Sequence, residues 1–205
     1  MKKVLFGKRF LFTLMSIFMM AAVLVNAQTL TVKSYTVTID GETNVNHDFT
    51  TKVTQLSGKL TVADNRPQSL IVEIPVRSIL SGEKLMDKKT HETFNAPKNP
   101  TINFTMTELN SLQVEGNNVA VTVTGNLSMG GTTKKVTLKA SGKEVSPGSY
   151  TFQGALPLKM SDFSMKAPTA MLGTMKTKDQ VTVNYNVTFE GAAINFNSIE
   201  YTQNH

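Results

Sequence analysis

Apolar residues recur at every second position in about eight segments of the chain from Leu30 onward. In the clearest segment, Val181–Phe189, valine, tyrosine and phenylalanine alternate with threonine and asparagine. Successive side chains on a β-strand point to opposite faces, so each segment predicts a strand with one apolar and one polar face. The predicted strands are Tyr35–Ile39, Leu56–Val62, Leu70–Val76, Ile102–Met106, Val119–Met129, Val136–Ala140, Tyr150–Met160 and Val181–Phe189, with shorter candidates at Val45–Phe49 and Leu112–Val114.

Short turn sequences separate these segments. Examples are Asp64–Pro67, Glu115–Asn118, Met129–Thr132 and Ser146–Ser149. Glycine and asparagine tolerate positive φ and proline fixes φ, so such sequences favour tight turns. Short connections predict hairpins, and hairpins build an antiparallel sheet.

One stretch, Ser81–Phe94, has weak helical spacing, with Ser81 as the expected N-cap. Gly125 and Gly154 interrupt two of the predicted strands, which indicates bends or bulges in a coiled sheet. No composition break divides the chain into two domains. We therefore expect one all-β domain over residues 28–191, followed by a tail of residues 192–205.

The first 27 residues have the pattern of a secretory signal peptide. Lys2, Lys3, Lys8 and Arg9 precede the uncharged apolar run Phe10–Val25, and the small residue Ala27 ends the segment. At 16 residues the run is shorter than the roughly 20 that a membrane-spanning helix needs. The sequence predicts cleavage after Ala27, export to the periplasm or the medium, and no stable membrane span afterwards.

Removing the leader changes the charge of the protein. The whole chain carries a formal charge of +6, but 17 basic and 15 acidic residues remain after Ala27, which is a net charge of +2. A nucleic-acid partner needs a basic stripe, so this class is disfavoured. The absence of cysteine from the sequence excludes disulfides and thiol-based sites.

Alternation alone fits both a soluble barrel with an apolar interior and an outer-membrane barrel with an apolar exterior. Membrane barrels carry aromatic girdles at both interfaces, and this chain has no tryptophan and four tyrosines. The sequence therefore favours the soluble barrel.

The candidate chemistry is sparse. His47, His91 and His205 have no metal-ligand spacing, and the pair His47–Asp48 is more typical of a surface turn than of a catalytic site. No catalytic residues, metal site or cofactor are predicted, and the chain is not expected to be an enzyme. Four methionines cluster within 16 residues, which is compatible with Cu(I) binding or with an adaptable apolar wall. They are Met160, Met165, Met171 and Met175.

Four stretches in order resemble the YceI-like family. The segment Leu127–Leu138 is similar to that family's glycine-containing hairpin, and Asn99–Phe104 to the strand start that follows its loop. Met160–Phe163 is similar to a conserved segment ending in Ser-Asp-Phe, and Val181–Phe189 to the closing strand. The agreement extends from about Thr36 to Phe189.

The resemblance implies a lipocalin-like, eight-stranded antiparallel β-barrel with one short helix or loop insertion. It also implies a periplasmic protein that holds a polyisoprenoid, isoprenoid quinone or other lipid in its interior, as a carrier or store. A long apolar chain gains about 0.8 kcal/mol per buried CH₂, so such an interior would bind it with few polar contacts.

Two sets of ligand-binding residues follow from the strand phase and the resemblance. The expected interior residues, which could equally be ordinary core, are Val37, Ile39, Val72, Ile74, Phe104, Met106, Val121, Val123, Leu138, Phe152, Leu156 and Val183. The expected mouth residues are His47, Met86, His91, Phe94, Phe163, Met165 and Met171, with the two histidines as candidate head-group contacts.

Two other functions stay open at this point. The methionine cluster could handle Cu(I), and a barrel filled by its own side chains could be a protein-interaction module. An imperfectly closed barrel would leave an unpaired strand edge, which could support a homodimer.

Overall fold

The structure is a computed structural model that describes residues 27–45, 47–170 and 174–194. The predicted signal peptide lies outside this part except for Ala27, as do Met171 and the tail beyond Ile194. The cleavage therefore stays a prediction. No helix in the described ranges has the length and apolar character needed to cross a membrane.

Strands dominate the described chain. Their bounds are β1 Gln28–Thr43, β2 Asp48–Val53, β3 Ser57–Ala63, β4 Arg66–Pro75, β5 Ile79–Leu80, β6 Thr101–Glu115, β7 Asn118–Met129, β8 Thr132–Ser146, β9 Ser149–Lys159, β10 Thr169–Ala170 and β11 Met175–Glu190. The helical elements are α1, Lys84–Thr93, and two short 3₁₀ helices at Val76–Ser78 and Met160–Phe163.

Eight of these strands form a closed antiparallel barrel. Around the wall the order is β1, β3, β4, β6, β7, β8, β9 and β11, and β11 pairs with β1 to close it. The first half of β1 pairs with β3, whereas its second half pairs with β2, which in turn pairs with β5. The expected eight-stranded all-β barrel with one short helical insertion is confirmed.

The hairpin turns lie where the sequence predicts them. Asp64 and Asn65 adopt positive φ between β3 and β4, and Gly130 and Gly131 do so between β7 and β8. A two-residue turn of this kind matches the twist of the strands that it joins. It fixes the β7–β8 register, in which Val123 faces Leu138 on the inner side of the wall.

Strand β6 joins two segments that the alternation predicts as separate strands. Its pairing with β7 slips between Met106 and Glu108 and again between Leu109 and Ser111. Each bulge adds one residue and reverses the phase of the side chains, which explains why the periodic pattern is broken there.

Several glycines allow an aromatic ring to cross a neighbouring strand. Gly142 faces Phe152 and Gly154 faces Tyr185 in the register, and a Cβ atom at either glycine would collide with the facing ring. These glycines let aromatic side chains lie flat against the backbone of the neighbouring strand.

Two local predictions are wrong in detail. The strand expected at Val45–Phe49 begins only at Asp48, because Val45 belongs to the turn after β1 and is exposed. Ser81 does not cap the helix, which starts at Lys84 after Glu83. The Ser81 hydroxyl instead donates to Asp87 Oδ1 at 2.7 Å and accepts from the Glu83 N–H at 3.1 Å.

Candidate functional site

The barrel encloses two adjoining cavities, here called the large chamber and the small chamber. Their volumes are about 200 Å³ and about 160 Å³. Inward-facing valine, leucine, isoleucine, phenylalanine and methionine side chains form most of both linings, because the alternation places one apolar face of every strand inside. Five residues line both chambers and form the junction between them: Val37, Ile74, Leu127, Leu156 and Val183.

The large chamber occupies one end of the barrel. Asn65 and Pro67, from the β3–β4 hairpin, line it together with Ile194, which is buried. The hydroxyl of Tyr150 accepts a hydrogen bond from the Ile194 N–H at 2.6 Å and lies 3.4 Å from the Ile194 carbonyl oxygen. These contacts hold the segment after β11 across this end of the barrel. Burial raises the pKa of the Tyr150 hydroxyl.

The small chamber lies toward α1. Thr90, Thr93 and Phe94 line it at the end of the helix, and Met165 and Pro168 line it from the loop that follows β9. Thr51 and Thr177 add two more hydroxyl-bearing side chains. This chamber is therefore less uniformly apolar than the large one, and its polar groups are neutral.

Asp87 holds the loop that leads into α1. Its Oδ1 accepts hydrogen bonds from the Ser81 N–H at 2.6 Å and from the Ser81 hydroxyl. These bonds, the backbone one first, lower the pKa of the Asp87 carboxyl. Asp87 thus positions the helix whose end lines the small chamber.

All twelve expected interior residues line a chamber. Val72, Phe104, Met106, Val121, Val123, Leu138 and Phe152 line the large one, Ile39 lines the small one, and Val37, Ile74, Leu156 and Val183 line both. Contact of these residues with a ligand stays a prediction.

The structure places only some of the expected mouth residues at a chamber. Phe94 and Met165 line the small chamber. Phe163 is almost completely buried and lies instead at an outer cleft beside β8 and β9. Met86 lines neither chamber, and Met171 lies outside the described residues.

Neither histidine expected at the head group lines a chamber. His47 is exposed in the turn between β1 and β2, where its N–H donates to Thr43 Oγ1 at 3.1 Å. The Nε2 atom of His91 lies 3.1 Å from the Ile79 carbonyl oxygen, so this ring is turned toward β5. The two histidine side chains lie outside the linings of both chambers. Sequence position alone does not fix the direction of a side chain in a turn or on a helix.

Met160 and Met165 are buried in the wall of the small chamber. In the described ranges no three His, Cys, Asp or Glu residues cluster as metal ligands would. Cu(I) binding by methionine stays a prediction.

Sequence reasoning missed several lining residues. Leu127 and Met129 are in phase with Val123 on β7, and Leu158 is in phase with Leu156 on β9. The period-two alternation could have identified all three. The threonines of α1 could not be identified in this way, because the helix meets the barrel only through tertiary packing.

A closed antiparallel barrel around an apolar interior defines a class of small barrel proteins built to enclose apolar space. Within this class the chain belongs to the YceI-like family, because the model of the YceI-like domain matches residues 25–189. A UPF0312 protein of Pseudomonas aeruginosa (strain LESB58) is 33% identical over 118 residues, which are 53% of this chain. The chain matches 59% of the length of that curated relative.

Solved structures with low sequence identity share the fold. BcnA of Burkholderia cenocepacia has a TM-score of 0.61 and 20% identity, with 75% of this chain and 95% of that protein covered. A polyisoprenoid binding domain from Saccharophagus degradans has a TM-score of 0.63 and 14% identity, with 82% and 99% covered.

Proposed function

We propose that this protein binds the long apolar chain of an amphiphile inside its barrel and carries or stores it outside the cytoplasm. The single observation on which the proposal rests is the pair of adjoining apolar chambers. The two chambers meet at five shared side chains, so an extended chain can occupy both once these side chains adjust their rotamers. Isoprenoids, isoprenoid quinones and other lipids have chains of this kind, and the polyisoprenoid binding domain of similar fold supports this class of ligand.

The chambers account for binding without many polar contacts. An apolar cavity of roughly 150 Å³ stays dry and accepts a benzene-sized guest, so each chamber is large enough to hold part of a chain. The gain of about 0.8 kcal/mol per buried CH₂ must offset roughly 4–15 kcal/mol of lost freedom on association. A chain that fills both chambers reaches that range, whereas a short guest does not.

The tyrosines at the chamber walls support binding rather than catalysis. Burial raises the pKa of Tyr185, and its hydroxyl donates to the Lys139 carbonyl oxygen at 2.8 Å. The Tyr150 hydroxyl instead accepts from the Ile194 N–H, and burial raises its pKa as well. Both hydroxyls are therefore neutral near pH 7 and hydrogen-bonded to the backbone.

The site of action follows from the leader. The residues before Ala27 have the pattern of a signal peptide, so we propose a periplasmic or secreted carrier. Such a protein would shield the chain of its ligand from water between membranes.

The test is calorimetric titration of delipidated protein with farnesol and with the five-carbon alcohol isopentenol as a matched short guest. We expect one farnesol per barrel and a negative heat-capacity change, which marks burial of apolar surface. Isopentenol should bind at least a hundredfold more weakly. Farnesol binding no tighter than isopentenol would overturn the proposal.

A further inference from the structure

The wall of the barrel is split between β8 and β9. The two strands pair only from Ser141 with Gln153 to Ser146 with Ser149. Over residues 132–140, β8 pairs with β7 alone, and over residues 154–159, β9 pairs with β11 alone. The Tyr185 hydroxyl reaches over Gly154 to the Lys139 carbonyl oxygen at the point where the ladder stops.

The sequence explains why the ladder does not continue. Pro157 lies in the separated part of β9 and has no N–H to donate, and strands tolerate proline mainly at an edge. Phe163, from the 3₁₀ helix that follows β9, is almost completely buried beside the split. The split between β8 and β9 is therefore encoded by the residues that border it.

The split forms an open lateral cleft of about 510 Å³. Leu156 lines this cleft and both chambers, and Leu158 lines the cleft and the small chamber. The cleft and the interior thus share two side chains as a common wall. A chain in the chambers lies next to the cleft, and a rotamer change of these leucines is the smallest movement that would connect them.

The cleft is basic. Lys134, Lys135 and Lys159 line it, together with the carboxylate of Asp162, and the Asp179 carboxylate lies close enough to interact electrostatically with Lys159. None of the three lysines forms a salt bridge with another described residue. Lys134 faces Leu127 in the register, so it shares the inward side of β8 with Val136 and Leu138. Lys135 and Lys159 each follow an inward residue, so they lie on the outward side of the same split. A lysine at the end of this apolar row is placed to meet a charged group joined to an apolar chain.

From this arrangement, and resting on the proposed function, we propose that the lateral cleft binds the anionic head of the amphiphile, a phosphate or carboxylate. The apolar chain lies in the chambers, and the head lies in the split, where Lys134 binds it from the inward side and Lys135 and Lys159 bind it from the outward side. Charge-assisted hydrogen bonds to such a head are stronger than those to a neutral hydroxyl. Because the lysines are exposed, salt should weaken the head-group contribution.

The test compares farnesyl phosphate, farnesol and inorganic phosphate on delipidated protein by calorimetry. We expect farnesyl phosphate to bind about tenfold more tightly than farnesol, and this advantage to shrink as salt rises from 50 to 500 mM. The variant with Lys134→Gln, Lys135→Gln and Lys159→Gln should lose the advantage and retain farnesol binding. Lys143→Gln, on the paired half of β8, is the matched control and should retain both.

The outcomes separate the two proposals. Equal affinity for farnesyl phosphate and farnesol, unaltered by the triple substitution, would overturn the cleft assignment and leave the carrier proposal standing. Inorganic phosphate binding as tightly as farnesyl phosphate would make the cleft a site for a free anion and would also overturn it. Failure of both farnesyl compounds to bind a folded barrel would contradict the carrier proposal itself.

Discussion

Closing the junction between the chambers should shorten the chain that the barrel accepts. Val183 lines both chambers, so Val183→Phe would place an aromatic ring where they meet. A cavity of roughly 150 Å³ holds one six-carbon benzene ring, which scales to about eight carbons for the large chamber and about six for the small one. A guest confined to the large chamber would lose the burial of about six CH₂ groups.

The size of the effect follows from these volumes. At about 0.8 kcal/mol per CH₂, six groups correspond to at most about 5 kcal/mol, or between three and four orders of magnitude in Kd. In the wild type, affinity should rise roughly fourfold per added CH₂ up to about 14 carbons. In Val183→Phe the rise should stop at about eight carbons.

The assay is displacement of a bound fluorescent probe by a series of 1-alkanols of six to sixteen carbons. An extrinsic probe is needed because the chain has no tryptophan. Asn186→Phe, which adds the same ring at an exposed position of β11, is the matched control and should follow the wild type. Since an overpacked core costs typically 1–3 kcal/mol, urea unfolding should establish that the variant is folded. Equal chain-length limits in a folded Val183→Phe and the wild type would refute the reasoning.

Three further predictions concern stability. Gly154→Ala should lower the free energy of unfolding by about 1–3 kcal/mol in urea, because its Cβ would collide with the Lys139 carbonyl oxygen and the Tyr185 hydroxyl; an unchanged midpoint would contradict the close approach. Tyr150→Phe should cost about 1–3 kcal/mol and speed amide exchange at Ile194, whose N–H loses its acceptor; unaltered exchange there would argue against the fastening. The backbone and hydroxyl of Ser81 lower the pKa of Asp87, and the hydroxyl and backbone of Ser161 lower the pKa of Asp179, both from the ordinary 3.8. The stability that these carboxylates confer is present above that value and is lost as pH falls through the lower folded pKa values. The double variant Asp87→Asn with Asp179→Asn should therefore lose less free energy of unfolding than the wild type as pH falls below about 4. An equally steep loss in both proteins would refute this prediction.

The alternation predicted the barrel and its inner face because both depend on the local backbone. A residue such as Val123 points inward wherever its strand lies in the wall, provided that its phase is read correctly. The β6 bulges mark the limit of this reasoning, because they change phase within one continuous strand. Tight turns such as Gly130–Gly131 were predictable for the same local reason.

The rest of the site depends on contacts between distant parts of the chain. Nothing local separates residues 132–140 of β8 from β9, although Pro157 was a signal that β9 has an edge. The directions of His47 and His91 are set by the turn after β1 and by the packing of α1 on β5. The fastening of Ile194 by Tyr150 joins residues far apart in sequence, which periodicity cannot detect.

Mass spectrometry of an organic extract of the protein, purified without detergent, shows directly whether the barrel holds an amphiphile. We expect one long-chain amphiphile per barrel, with more than about eight carbons in its apolar chain. We also expect this amphiphile to be depleted from Val183→Phe and retained by Asn186→Phe. An extract free of such molecules, from a protein that also fails to take up added farnesol, would contradict the proposal that the barrel carries an amphiphile.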